Sequence, residues 1–192
     1  SKASGVTDFA GMEGKTILRG KGSFGATEGE KYIKLFGLED KVKIADVELS
    51  GAVAALKNGQ IDGFVTAGSW PAPNVIEAAA STTVNVLSLS DDQIVQTKRT
   101  TLVIPAGTYA GQEADIRTTS LPVVAYATTA MDDEAAYQLT KTFWESKAKL
   151  GENSPWWNGV NEGLMATIEG TIHPGAQRYY VEAGIALTDA QK

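Results

Sequence analysis

Residues 15–98 alternate between short apolar runs and amphipathic helical segments, and this alternation constrains the fold more than any other property of the chain. Thr16-Ile17-Leu18-Arg19 is a strand candidate, followed by the glycine-rich stretch Gly20-Lys21-Gly22-Ser23-Phe24-Gly25. A helix is predicted from Ala26 to Leu38, with Tyr32, Ile33, Leu35 and Phe36 as its apolar stripe and Glu30 facing Lys34 at i,i+4. Val42 to Val47 alternates like a strand. Ser50 is placed to cap a helix over 51–58 that carries Val53 and Leu56 inward and stops at Gly59. Ile61 to Thr66 reads as a buried strand, Pro71 or Pro73 opens a helix running to about Ala80, Val84 to Leu89 is a further strand, and Asp91-Asp92 opens a short helix. Strands alternating with helices over short connections indicate an α/β fold with a parallel sheet.

The pattern changes near residues 100–120. Thr101 to Ile104 is apolar, Pro105 to Gly111 is a loop, and Leu121 to Thr129 is a long strand candidate with Pro122 favouring an edge or entry position. Asp132 to Leu150 is an amphipathic helix with Ala136, Leu139, Phe143 and Leu150 roughly on one face. Ser154-Pro155 caps a helix bearing Trp156 and Trp157, which read as core or interlobe packing rather than a stacking platform, and Pro174 opens a last helix with Tyr179 and Tyr180. His173 precedes it as a capping or surface residue rather than a catalytic one.

Composition narrows the function classes. The 192 residues are 43% hydrophobic and 21% charged, as for an ordinary globular chain. The formal net charge of -6 argues against nucleic acid as a partner. With no cysteine and one histidine, thiolate and His-rich metal sites are excluded, and no metal or cofactor is expected. No run of about 18 apolar residues suggests a membrane span. No signal peptide is visible, so in an exported parent the signal would have been removed or would lie upstream.

Two segments carry the candidate site. The glycine-rich stretch follows a strand and precedes a helix, so free backbone N–H groups and the helix dipole can receive an anion; a plain turn that needs glycine for its dihedrals is the alternative. It is not a kinase loop, because no His-Arg-Asp or Asp-Phe-Gly accompanies it, nor a Walker A loop, because no Gly-Lys-Ser/Thr closes it. Thr66-Ala67-Gly68-Ser69-Trp70-Pro71 lies where a parallel strand ends, the position at which open α/β sheets bind ligands. Small residues there would admit a ligand, and Trp70 would wall a pocket or pack in the core.

Several of these segments resemble the solute-binding subunits of TRAP transporters of the TAXI family. Gly14-Lys15-Thr16-Ile17 with the glycine-rich turn is similar to the family's opening strand and ligand turn. Ala54-Ala55-Leu56-Lys57-Asn58-Gly59-Gln60-Ile61-Asp62-Gly63-Phe64 resembles its Leu-Lys-Asp-Gly-Gln-Ile-Asp-Ala-Phe stretch, and Ala67-Gly68-Ser69-Trp70-Pro71 its following loop. Ile104-Pro105-Ala106-Gly107-Thr108-Tyr109 and His173-Pro174-Gly175-Ala176 with Arg178-Tyr179-Tyr180 are the most specific matches. The resemblance implies a type II periplasmic binding-protein fold: a parallel-sheet lobe with an antiparallel crossover strand, plus C-terminal helices of the partner lobe. It places lobe two at about 10–118 and the returning part of lobe one at 119–192, with the first part of lobe one expected upstream. It implies a periplasmic or extracytoplasmic receptor, not an enzyme, that binds a small organic anion such as an amino acid or dicarboxylate and docks on a TRAP permease. Ser23, Phe24, Gly25 and Thr27 are expected to meet the ligand, Thr66, Gly68 and Trp70 to line the opposite wall, and Tyr109 to sit near the hinge. Without a gap, Phe24 and Ala26 fall where the family has Ser and Thr, and Ser23 and Thr27 stand one residue away. Other readings of the same residues are a metabolite-sensing effector domain of this fold, a small phosphate-binding α/β transferase, or a fragment unable to hold ligand. An exposed sheet edge would invite a homodimer.

Overall fold

The computed structural model describes all residues except Asp46, and all side chains of its regular elements except that of Trp156. The chain divides into two compact units, Ser1–Ser120 and Leu121–Lys192.

The first unit is built on a three-stranded parallel sheet. Its strands are β1 (Thr16–Leu18), β2 (Lys43–Ala45) and β3 (Gly63–Phe64), in the order β2-β1-β3. Thr16, Ile17 and Leu18 pair with Lys43, Ile44 and Ala45 on one side, and Ile17 and Leu18 with Gly63 and Phe64 on the other. β1 is thus the middle strand, and its side chains alternate between two covered faces. Ile17 joins a cluster of Val6, Met12, Ile33, Leu38 and Val42, whereas Leu18 joins Ala52, Val53, Leu56, Ile61 and Ala78. The helix α1 (Phe24–Leu35) covers the first face; α2 (Ala52–Lys57) and α3 (Pro73–Ser81) cover the second.

The strands are shorter than the sequence suggests. Only Gly63–Phe64 of the expected Ile61–Thr66 run is in the ladder, and β2 covers Lys43–Ala45, with Asp46 of that run outside the described residues. Val84 to Leu89 is not a strand. Its polar groups are met singly rather than by a ladder: Asn85 donates to Val6 O (2.9 Å), and Leu89 N–H to the carbonyl of Arg117 (2.8 Å). The helix α4 (Asp91–Thr97) follows, opened by a capping box in which Ser90 and Gln93 satisfy each other's backbone N–H.

Two local expectations are corrected. Glu30 pairs with Arg19 at 2.9 Å across the turn, rather than with Lys34. Ser50 does not cap α2; it lies inside the 3-10 turn Leu49–Gly51 that runs into the helix, and Gly51 takes the capping position without a side-chain bond.

β4 (Thr100–Ile104) and β5 (Ile116–Ser120) form a separate antiparallel pair, from Thr100 opposite Ser120 to Ile104 opposite Ile116. The sequence reading had no strand at 116–120; it is polar and threonine-rich, and its stability comes from its partner rather than from an apolar run. Leu121 to Thr129, by contrast, is not a strand. Pro122 removes one donor, no ladder partner exists among the described residues, and Val123 and Tyr126 are 87% and 95% exposed.

The second unit is helical. α5 (Asp133–Asn153) begins at Asp132, whose carboxylate accepts the Ala135 N–H at 2.8 Å. α6 (Pro174–Glu182) begins at His173, whose Nδ1 accepts the Gly175 N–H at 3.2 Å while Nε2 donates to Met131 O at 3.1 Å. Of the predicted α5 stripe, Ala136 is buried, but Leu139 is 62% exposed and Phe143 and Leu150 are also open. The reason is that α6 lies on another face of α5, that of Asp133, Ala136, Tyr137 and Trp144, with the Tyr137–Tyr179 and Trp144–Tyr180 ring centres 6.3 and 6.4 Å apart. A Cβ at Gly175 would lie 2.0 Å from Asp133 O and 3.0 Å from the Ala136 Cβ. Ser154-Pro155 opens a 3-10 turn, Pro155–Gly159, instead of an α-helix. Gln191 is fully buried, and its Nε2 donates to Met165 O (2.6 Å) and Ile168 O (2.8 Å), tying the chain end to the unit.

Gly175→Ala should therefore destabilise the second unit by about 3 kcal/mol, as overpacking against immobile backbone does. Equilibrium denaturation tests this; a loss below about 0.5 kcal/mol, the level of an ordinary surface change, would mean that the helices do not meet so closely.

Candidate functional site

In the order β2-β1-β3, the connections leaving β1 and β3 run to opposite sides, so the carboxyl ends of these two strands flank a topological switch point. Both segments singled out in the sequence leave the sheet there. The turn 19–23 follows β1 and leads into α1; residues 65–72 follow β3 and lead into α3.

Ser23 organises the turn. Its Oγ donates to Gly20 O at 2.7 Å and accepts the Ala26 N–H at 3.0 Å, which caps α1. Gly20 has φ of 78°, and a Cβ there would lie 2.9 Å from the Leu49 Cβ, so the turn closes only around glycine. The cap satisfies Ala26 and leaves the N–H groups of Phe24 and Gly25 at the open end of the helix without an intrahelical acceptor.

Gly25 brings the two segments together. A Cβ on Gly25 would sit 3.2 Å from Ala67 N and 3.3 Å from Thr66 Cα. One turn later, a Cβ on Gly29 would press on the Val65 side chain at 3.0 Å. The first turns of α1 thus lie directly on the chain leaving β3. Thr66 is fixed by Asn74, whose Nδ2 donates to Thr66 Oγ1 at 2.9 Å. Gly68 and Thr27 are exposed, and the Phe24 ring is 49% exposed. Trp70 is half-buried and packs on the cluster of Val75, Ile104, Tyr109 and Ile116, joined to Pro71 by a cis peptide bond. Ser23, Phe24, Gly25 and Thr66 are accordingly on adjoining backbone, with Thr27, Gly68 and Trp70 within a few residues of it.

Tyr109 lies in the core of the first unit, only 5% exposed. Its hydroxyl accepts the Ala72 N–H at 3.0 Å, next to Pro71. Burial pushes its ionisation upward, and the Ala72 bond opposes that shift. The structure therefore connects Tyr109 to the Trp70 loop through the backbone.

A second cluster had no local signature in the sequence. Glu28, on α1, is buried and accepts from Lys31 Nζ at 2.9 Å, and its other oxygen is ion-paired with Arg99. The Arg99 guanidinium lies 5.8 Å from the centre of the Tyr32 ring, whose hydroxyl is hydrogen-bonded to Thr119. Glu28 and Tyr32 share one face of α1 by i,i+4 spacing, but their partners lie far along the chain, before β4 and in β5. The hydrogen bond to Arg99 is the main cause that holds the Glu28 carboxyl below its ordinary value of 4.5, and burial opposes it.

Among the described residues, no three His, Cys, Asp or Glu side chains gather to hold a metal ion, and no helix is long and apolar enough to cross a membrane. The site offers backbone donors, hydroxyls and aromatic rings, which suit binding.

A carboxylate depressed in the folded state stabilises above its ordinary value and loses that stabilisation as the pH falls through the depressed one. Glu28→Gln should therefore lower stability at neutral pH by about 3 kcal/mol, by leaving Arg99 uncompensated. The variant should also lose less stability than the parent as the pH drops below 4.5. Urea titrations of both proteins across that window check this; parallel curves would show that Glu28 is not held by Arg99.

Residues 1–184 match the model of the NMT1-like family, a periplasmic binding protein-like family. The chain belongs to that family. Its mixed α/β structure, with a parallel three-stranded sheet and helices, is consistent with a periplasmic binding protein-like fold, and the family points to an extracytoplasmic solute-binding role.

Proposed function

We propose that this member of the NMT1-like family is an extracytoplasmic receptor that takes a small organic anion at the β1/β3 switch point and delivers it to a TRAP-type permease. The observation that carries this reading is the approach of Gly25 to Thr66 and Ala67 at the carboxyl ends of β1 and β3. It sets the open N-terminal turn of α1 beside a loop of small residues. An anion there would be met by the Phe24 and Gly25 N–H groups and the positive end of the helix dipole, which needs no ligand charge on the protein. The Thr27 hydroxyl on the turn, and Thr66 and Gly68 on the facing loop, supply further polar contacts, while the Ser23 hydroxyl, already bonded to Gly20 O and the Ala26 N–H, holds the turn that presents them. Trp70 forms the wall, and Tyr109 sets the loop that carries Trp70 through its bond to Ala72. The unit Ser1–Ser120 corresponds in this reading to lobe two of a TAXI-type subunit, and Leu121–Lys192 to the returning part of lobe one. Resemblance at Ile104 to Tyr109 and His173 to Tyr180 supports the TRAP assignment. Recognition through binding, with no bond made or broken, is the whole chemistry required.

Native mass spectrometry of the purified chain should show a co-purified organic acid, and adding that acid at about 100 times its dissociation constant should stabilise the protein by about 2.7 kcal/mol. Gly25→Val should reduce its affinity at least about tenfold, because the side chain would push the turn off the Thr66–Ala67 backbone. A bound acid retained equally by Gly25→Val would place the site elsewhere, and a chain that neither carries nor is stabilised by any small organic anion would refute the reading.

A further inference from the structure

We propose that the C-terminal end of α5 carries a second binding site, for a zwitterionic α-amino acid with an apolar side chain. The site lies wholly within the second unit and does not depend on the receptor reading above. The last turns of α5 and the 3-10 turn Pro155–Gly159 border an open cleft of about 390 Å³, lined by Lys147, Ala148, Gly151, Glu152, Trp157 and Asn158. That volume falls within the range of small-molecule sites, about 300–1,000 Å³. Gly151 lets the turn fold onto the helix: a Cβ there would already touch Asn158 Oδ1 at 3.5 Å and the Trp157 Cβ at 3.9 Å. Trp157 is half-buried. Its ring packs on Phe143 with 5.3 Å between centres, and Phe143 packs on Trp144 at 5.5 Å, so the ring that borders the cleft is held in place by its neighbours.

The charges around the cleft select the ligand. Lys147 and Glu152 line the same space but stand five residues apart on α5, whereas the spacings that pair on a helix are three and four. Neither side chain makes a hydrogen bond or ion pair among the described residues, and nor does the Asn158 carboxamide. One cation, one carboxylate and one amide therefore border the cleft without a protein partner. α5 ends at Asn153 with no basic residue in its last turn, so the negative end of its dipole adds to the charge of Glu152. The cleft is thus polarised, positive at Lys147 and negative towards the helix end. A simple anion would meet the carboxylate of Glu152 and a simple amine the ammonium of Lys147, a like-charge contact in either case. An α-amino acid carries both charges on one carbon. It can set its carboxylate on Lys147, its ammonium on Glu152 and its side chain against Trp157, which buries apolar surface.

The test is a chemical-shift titration of the intact, isotope-labelled chain, read at the Trp157 indole N–H, whose signal Trp157→Phe identifies by its loss. The probes are L-phenylalanine, phenethylamine, which lacks the carboxylate, and hydrocinnamate, which lacks the ammonium. L-phenylalanine should shift the Trp157 signal with a dissociation constant at least about threefold below that of either analogue, the size of one exposed ion pair. Lys147→Met should weaken L-phenylalanine to the level of phenethylamine without weakening phenethylamine itself. Glu152→Gln should bring it to the level of hydrocinnamate without weakening hydrocinnamate. Neither side chain has a partner to lose, so thermal melts of both variants should match the parent. Gly25→Val, aimed at the site on α1, should leave the titration unchanged. An analogue that binds as tightly as L-phenylalanine, variants that bind it as the parent does, or no shift at Trp157 with any probe up to about 10 mM overturns the proposal and leaves the receptor reading untouched.

Discussion

Everything at the candidate site depends on how closely α1 can lie on the chain that leaves β3. That distance is set by two missing side chains. Gly25 and Gly29, one turn apart, put bare backbone against Thr66, Ala67 and Val65. With any larger residue at Gly25, the helix would stand off from the loop, and the turn after β1 and the loop after β3 would no longer share a wall. The Ser23 cap then aims the first turn, and the Asn74 bond to Thr66 fixes the facing chain.

The helix is also fastened in its middle. Glu28 reaches Arg99 just before β4, and Tyr32 reaches Thr119 in β5. One side of α1 therefore meets the chain leaving β3 at the candidate site, and another holds the antiparallel pair beyond the sheet. These contacts belong to tertiary structure alone. Glu28 and Tyr32 look like ordinary helical surface residues in sequence, and nothing near Arg99 or Thr119 points back to them. This is why the cluster escaped a reading based on local pattern.

What the sequence does reveal is the part governed by local rules. Periodicity and glycine placement located β1, α1, β2 and α2, and the proline rule located α3 and α6. The same rules failed where pairing decides. Val84 to Leu89 and Leu121 to Thr129 have the composition of strands, but a strand exists only where a neighbour supplies its ladder, and Ile116–Ser120, with a poorer composition, has one. Capping was legible at His173, was misread at Ser50, where a 3-10 turn runs straight into α2, and was missed at Asp132, which the sequence reading placed inside the helix it caps. The candidate-site residues were legible as two loops, and only the family resemblance set them on opposite walls; the close approach at Gly25 was not legible, because it depends on strand order and packing.

The short middle strand has a consequence for how this chain can change over evolutionary time. Ile17 and Leu18 are neighbours in sequence but tenants of different cores. Inserting or deleting one residue in β1 would exchange them, sending each into a cavity shaped for the other and rotating the departure of the following turn to the opposite side of the sheet. Length variation is thus disfavoured where the strand is only three residues long, and it accumulates more readily in the loops after the strands, which are also where the proposed site lies.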